Sequence, residues 1–149
     1  MNVASDYGKT KKLLLEFEDT IGGKLPEEYR NHLVHNEGKL PSPAIVEFLG
    51  IDGHTNAVIV RSLFRLDSTD ADNIKQNYVF YVVSGRIEKG YIPIAEDVGG
   101  NVLCIGMNAD NRGKLFFWDH ELEVSDKAEN LAFACESFNE LLAACNNGL

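Results

Sequence analysis

Residues 91–118 read YIPIAEDVGGNVLCIGMNADNRGKLFFW, in which three apolar runs are separated by two segments rich in Gly, Asn and Asp. The runs cover residues 91–95, 102–107 and 114–118. Short apolar runs bounded by such segments are typical of consecutive strands joined by tight turns. The stretch therefore predicts a β-meander. Its middle run is apolar at both alternating sets of positions, so we expect both faces of that strand to be covered, one of them by helices.

Two amphipathic helices are predicted before this meander. In the first, a glycine pair, Gly22-Gly23, ends a run of apolar residues at helical spacing. The apolar residues are Leu13, Leu14, Phe17 and Ile21. In the second, Pro26 takes a first helical position and Glu27 and Glu28 favour the positive end of the helix dipole. Tyr29 and Leu33 would share its buried face, and Gly38 would close it.

The remaining elements follow from shorter patterns. Residues 44–49 and 57–66 are rich in Val, Ile, Leu and Phe, and they predict two strands that pair with each other. Residues 73–84 have strand propensity but also present one apolar helical face, and we interpret them as a helix ended by Gly85. Ser137 with Glu140 three residues later is a capping box that predicts a final helix.

Length, composition and charge limit the possible functions. A chain of 149 residues with 44% hydrophobic residues predicts one globular domain over residues 1–149. The sequence has no apolar run near the roughly 20 residues that span a bilayer, and no cleavable leader, so a cytoplasmic location is expected. The net charge of -9 disfavours nucleic acid and suits a basic partner. Cys104, Cys135 and Cys145 form no paired framework and are expected to be reduced.

A family resemblance rests on the order and spacing of several motifs. The motifs are Leu25-Pro26-Glu27-Glu28-Tyr29, Asn36-Glu37-Gly38, residues 91–97 with Gly99-Gly100-Asn101, Phe116-Phe117-Trp118-Asp119-His120-Glu121, and Ser137-Phe138. In this the chain resembles the SUKH superfamily, also called Smi/Knr-like. The resemblance implies an α+β fold with a central, mostly antiparallel sheet and helices packed on it, without catalytic residues. It also implies an immunity protein that binds and neutralises a toxin, such as a nuclease or a deaminase.

Several residue clusters could carry chemistry, but each has a simpler interpretation. His120 between Asp119 and Glu121 suggests a general base or half of a metal site, yet adjacent strand residues point to opposite faces. The segment from Asn108 to Asp119 imitates a calcium loop, but Arg112 occupies a ligand position and the final glutamate is missing. His32 and His35 lack a third ligand. We therefore expect no catalytic residue, no metal and no cofactor.

The predicted contact surface consists of carboxylates near turns and strand ends, together with neighbouring polar and aromatic residues. Its members are Asp70, Asp72, Glu96, Asp97, Asn101, Asp110, Trp118, Asp119, His120 and Glu121. If the acidic members lie on one side, they would steer a basic toxin toward the protein. The alternative is a solvated acidic rim that serves solubility, with Trp118 in the core.

The sequence thus predicts a non-catalytic immunity protein, a monomer or weak homodimer, whose partner is a basic toxin domain. An alternative is a regulatory scaffold of the Smi/Knr type that acts through protein–protein contacts. A third hypothesis is a hydrolytic enzyme that uses His120 with Asp119.

Overall fold

A computed structural model describes residues 3–35, 44–49, 54–121 and 130–147. These residues form four helices and a single six-stranded sheet. The helices are α1 (Val3–Ile21), α2 (Glu27–His35), α3 (Ile74–Tyr78), which continues as a π-helix (Val79–Val83), and α4 (Phe138–Asn147). The strands are β1 (Ala44–Leu49), β2 (Thr55–Leu63), β3 (Tyr91–Asp97), β4 (Val102–Gly106), β5 (Leu115–Trp118) and β6 (Leu131–Cys135). The predicted α+β fold is confirmed.

The sheet follows chain order from β1 to β6, and every neighbouring pair is antiparallel. The predicted pairing of residues 44–49 with the next strand is confirmed, although β2 ends at Leu63 and not at residue 66. Phe64 N still donates to the Ile94 carbonyl of β3, and the next residue, Arg65, pairs with Asn73 in front of α3. The meander in residues 91–118 is also confirmed. Strand β6, which pairs with β5, was not predicted.

Both faces of β4 are covered, as its apolar sequence predicts, and all five of its residues are buried. On one face Ile105 lines a cavity together with Tyr29 of α2 and Phe138 of α4. The opposite face we call the aromatic face. Side chains alternate between the two faces along each strand, and the register of β3 to β6 places four aromatic rings on the same face as Val102 and Cys104. These rings belong to Tyr91, Phe116, Trp118 and Phe133. The helices therefore cover one side of the sheet more completely than the other.

Residues 73–84 form the predicted helix, with a change of geometry halfway. The Asn73 side chain accepts a hydrogen bond from Gln76 N and caps α3. From Val79 the turn widens into the π-helix, which buries Val82 and leaves Val79, Phe80 and Val83 exposed. The pattern was ambiguous because aromatic and β-branched residues favour strands, while their spacing also forms a helical face.

The helix ends follow from local capping residues. Gly22, at a φ of 80°, ends α1 as predicted, and the amides of Gly22 and Gly23 donate to the Glu18 carbonyl. Ser137 Oγ accepts from Glu140 N, as the predicted capping box requires, whereas the Glu140 carboxylate accepts from Glu136 N, one residue before the cap. The predicted end of the second helix at Gly38 lies outside the described residues. Among those residues, no helix is long and apolar enough to cross a membrane.

Gly106 is closely packed by the turn that follows β4. A Cβ at this position would press on the Asn111 carbonyl oxygen and lie 2.6 Å from Asn111 Oδ1. Asn111 cannot easily retreat, because its Oδ1 accepts from Asn108 N at 2.9 Å. We therefore expect Gly106→Ala to lower the free energy of unfolding by about 1–3 kcal/mol, as overpacking usually does.

The matched control for this substitution is Gly8→Ala. A Cβ at Gly8 would meet no atom within 4 Å, and the residue lies inside α1. Because alanine is the better helix former, this change is expected to raise the free energy of unfolding by up to about 1 kcal/mol. Denaturant unfolding followed by circular dichroism compares the two variants. Equal effects of the same sign would show that the contact with Asn111 is unimportant.

Candidate functional site

Two neighbouring strand ends bring several predicted contact residues together. The Asp97 carboxylate closes the turn between β3 and β4 by accepting from Gly99 N at 2.8 Å and from Asn101 N at 2.9 Å. Asn101 Oδ1 then accepts from His120 N at 3.0 Å and lies 2.5 Å from His120 Nδ1. Because an amide oxygen only accepts, Nδ1 must carry the proton. The turn therefore fixes the orientation of the His120 ring.

Asp119 and Glu121 flank this histidine, but neither carboxylate replaces Asn101 as its partner. Asp119 Oδ1 accepts from Glu121 N at 2.9 Å, and the nearest Glu121 oxygen is 3.9 Å from His120 Nε2. A general base held by an acid needs the carboxylate on the far ring nitrogen. Here an amide holds that nitrogen, and Asp119 stabilises the chain turn instead. The arrangement favours a rigid, exposed polar surface over a proton relay.

Glu96 belongs to β3, and Asp72 and Asp70 lie in the loop between β2 and α3. Glu96 is opposite Ser62 in the β2–β3 ladder and forms an ion pair with Arg61 at 3.6 Å. Ser62 Oγ donates to Asp72 Oδ1 at 3.4 Å, which places the loop before α3 beside Glu96. The carboxylate of Asp70 also has a local role. Hydrogen bonds from the Ser68 hydroxyl and from Asp72 N lower the pKa of Asp70.

Two predicted contact residues lie apart from the strand-end cluster, which is formed by Asp97, Asn101, Asp119, His120 and Glu121. Asp110 lies in the turn after β4, at the opposite end of that strand from Asn101, and five strand residues span roughly 15 Å. Trp118 is next to the cluster in sequence, but only 7% of its surface is exposed. Its ring packs edge-on against Tyr81, with centroids 5.5 Å apart. The structure thus groups five of the ten predicted residues in the cluster and places these two apart from it.

The other candidate chemistries receive no support from the geometry. The turn after β4 is held by its own atoms, and Arg112 donates to the Lys24 carbonyl at 2.8 Å. His32 is buried against Phe138 with ring centroids 5.0 Å apart, whereas His35 is exposed. Within the described ranges, no group of three His, Cys, Asp or Glu side chains could hold a metal ion.

Cys104 and Cys135 are free, buried thiols. Burial raises the pKa of both, that of Cys135 to about 11. Since the thiolate is the reactive form, neither residue is prepared for nucleophilic attack at neutral pH.

The aromatic face was not recognised in the sequence. Tyr91 and Phe116 lie 5.2 Å apart, Phe116 and Phe133 lie 6.0 Å apart, and both pairs are edge-to-face. The sequence predicts a strand that contains Phe116 and Phe117, but no local pattern indicates which of the two rings remains accessible. Phe133 belongs to β6, the strand that was not predicted. The apolar residues at positions 131–135 are the sequence signal from which this strand could have been predicted.

Comparison with known proteins agrees with this fold. The SMI1 / KNR4 family (SUKH-1) matches residues 8–144. The SPbeta prophage-derived uncharacterized protein YokK of Bacillus subtilis (strain 168) is 30% identical over an alignment of 146 positions, which covers 89% of this chain and 72% of YokK. The family match covers all six strands, α2 and α3 with its π-helical continuation, and most of α1 and α4, and it confirms the resemblance drawn from the sequence motifs. The chain therefore belongs to the SMI1 / KNR4 family (SUKH-1).

Proposed function

We propose that this protein is a non-catalytic immunity protein that neutralises a cognate bacterial toxin by binding it. Family membership is the observation that carries this proposal, because the SUKH resemblance implies immunity through protein contact. The geometry around His120 is consistent with it. A histidine whose Nδ1 is held by Asn101, with Asp119 engaged elsewhere, presents a polar surface and not a catalytic pair.

Charge gives the expected chemistry of the partner. The chain has a net charge of -9, and Asp119, His120 and Glu121 lie together at one end of the sheet. Toxins that act on nucleic acids need basic surfaces to bind the phosphate backbone. An acidic protein can cover such a cleft and exclude the substrate. Complementary potentials mainly raise the association rate, so the complex should form more slowly in high salt.

The first test is a survival assay in which this chain is co-expressed with the toxin domain encoded beside it. Protection of the cells, together with a complex in a pull-down that weakens as salt is raised, is the expected result. Without protection or a complex, the immunity function would be rejected and the regulatory scaffold would become the better proposal. A His120→Ala variant that still protects would dispose of the hydrolytic alternative, in which His120 acts with Asp119.

A charge variant tests the steering role of the strand-end cluster. Neutralising Asp119→Asn and Glu121→Gln together is expected to lower the association rate about 3- to 10-fold at low salt, with little change in dissociation. Asp119→Asn keeps the oxygen that accepts from Glu121 N. Glu16→Gln with Asp19→Asn removes the same two charges from the exposed side of α1 and is the matched control. Equal slowing by both pairs would mean that net charge alone, and not its position, matters.

A further inference from the structure

The aromatic face has an accessible edge that no element of the described structure covers. Phe133 on β6 is 43% exposed, and the half-buried rings of Phe116 and Tyr91 follow it in an edge-to-face series. Phe80 continues the aromatic surface on the π-helix, where it is half exposed and packs edge-on against Tyr81. Tyr81 in turn contacts Trp118. These rings connect the sheet and the π-helix.

A surface of this kind is more typical of an interface than of free protein. Exposed apolar surface in soluble proteins is usually scattered, and contiguous patches often mark binding sites. Aromatic residues are enriched in interface cores and among the residues that contribute most to affinity. The rings are also held in place by their neighbours, so they would lose little side-chain entropy when a partner binds.

The charged groups around the rings indicate what kind of partner fits. Glu88 and Asp110 lie close enough to Tyr91 to raise the pKa of its hydroxyl, after the larger effect of burial. Glu96 has the same relation to Tyr81, but Arg86 acts on the Tyr81 hydroxyl in the opposite sense, and Glu96 is already paired with Arg61 at 3.6 Å. Arg112 and Lys114 follow Asp110 in the chain, and Arg112 donates to the Lys24 carbonyl. Glu88 and Asp110 are thus the carboxylates that border the rings, at the Tyr91 end of the aromatic face.

One cation of the chain itself already shows how these rings can be used. The guanidinium carbon of Arg86 lies 4.3 Å from the centre of the Phe80 ring. A cation over an aromatic ring is attracted by the negative potential of the ring face, and arginine is the side chain most often found there. Phe133, which is 43% exposed, offers an accessible ring of the same type on the sheet.

We propose that the aromatic face is the surface on which the toxin docks, and that its occupant is a basic protein segment. Lysine or arginine side chains of that segment would lie across Phe133, Phe116 and Tyr91, with their charged ends toward Glu88 and Asp110. This inference rests on the proposed immunity function. It assigns the anchoring contacts to the aromatic face and leaves long-range steering to the acidic strand ends.

The experiment compares Phe133→Lys with Leu15→Lys in binding to the purified toxin domain encoded beside this chain. Both positions are exposed and apolar, at 43% and 50%, but Leu15 belongs to α1, outside both the aromatic face and the strand-end cluster. Phe133→Lys is expected to weaken binding at least tenfold, because it removes a ring and adds a charge of the same sign as the partner. Leu15→Lys is expected to change binding less than threefold.

The outcomes separate this inference from the proposed function. If the wild type neither binds nor protects, the immunity function fails first. When the wild type binds and Phe133→Lys binds equally well, the aromatic face is not the docking surface. A selective loss with Leu15→Lys would place docking at α1 instead. Unfolding curves verify that each variant is folded, and Phe133→Leu, which removes only the ring, replaces Phe133→Lys if the lysine prevents folding.

Discussion

Replacing Glu18 by alanine is expected to lower the free energy of unfolding by about 3–5 kcal/mol, the usual cost of removing one partner from a buried ion pair. Glu18 and Arg30 have only 6% and 12% of their side-chain surfaces exposed. Arg30 Nε and Nη2 donate to both carboxylate oxygens at 2.9–3.1 Å. Glu18 Oε2 also accepts from Leu25 N at 2.8 Å. One carboxylate therefore joins α1, the connection and α2.

This effect can be measured by denaturant unfolding with the fluorescence of Trp118, the single tryptophan, as the signal. The expected loss corresponds to a decrease in Tm of roughly 6 to 20 °C for a domain of this size. Glu16→Ala removes the same charge from an exposed position on the same helix, and it is expected to cost about 0.5 kcal/mol or less. Similar losses for Glu16 and Glu18 would show that the buried pair contributes nothing specific.

A second substitution separates the buried charge from the lost hydrogen bonds. Adding Arg30→Met to Glu18→Ala is expected to recover part of the stability, because it removes the unpaired guanidinium that the single variant leaves buried. Leu25 N stays without its acceptor in both variants, so recovery should be incomplete. Additive losses in the double variant would argue against a coupled pair.

Replacing Phe138 by alanine is the other large effect, with an expected loss of about 3–5 kcal/mol. Phe138 is only 1% exposed, and its ring contacts Tyr29 at 5.1 Å and His32 at 5.0 Å between centroids. It is the main ring contact between α4 and α2, and truncation would leave a cavity at the centre of the helical side of the sheet.

Phe133→Ala is the control for this substitution, since it removes the same side chain from a position that is 43% exposed. A cost of about 1 kcal/mol is expected there, because less apolar surface is returned to water. Urea unfolding at equilibrium compares the two. Equal costs would mean that β6 depends on Phe133 for its folding, and Phe133→Leu would then be the appropriate variant for binding experiments.

The predicted site could be assembled from the sequence only in part. Asp97, Asn101 and His120 were expected near turns, and the antiparallel register of β4 with β5 brings Asn101 and His120 into hydrogen-bonding distance. Asp110 carries the same kind of charge in the same kind of turn, but it lies at the other end of β4. Charge and turn propensity are local properties, whereas the end of the sheet at which a turn lies depends on the pairing of distant strands.

Local patterns were sufficient for most of the secondary structure. The spacing of apolar residues determined α1 and α2, the alternation of apolar runs and turn formers determined β3 to β5, and Ser137 with Glu140 determined the start of α4. The order of motifs also determined the family. Each of these signals lies within about a dozen residues or in the order in which such segments follow one another. It can therefore be recognised in the sequence without knowledge of the tertiary packing.

Only the tertiary structure decided which side chains remain accessible. Phe116, Trp118 and Phe133 have similar apolar character, yet Trp118 is buried under Tyr81 while Phe133 is exposed at the edge strand. That difference arises because the π-helix covers one end of the aromatic face and leaves the other uncovered. Burial is a property of the neighbours that a fold places around a residue, and for these rings the neighbours come from segments far apart in the chain.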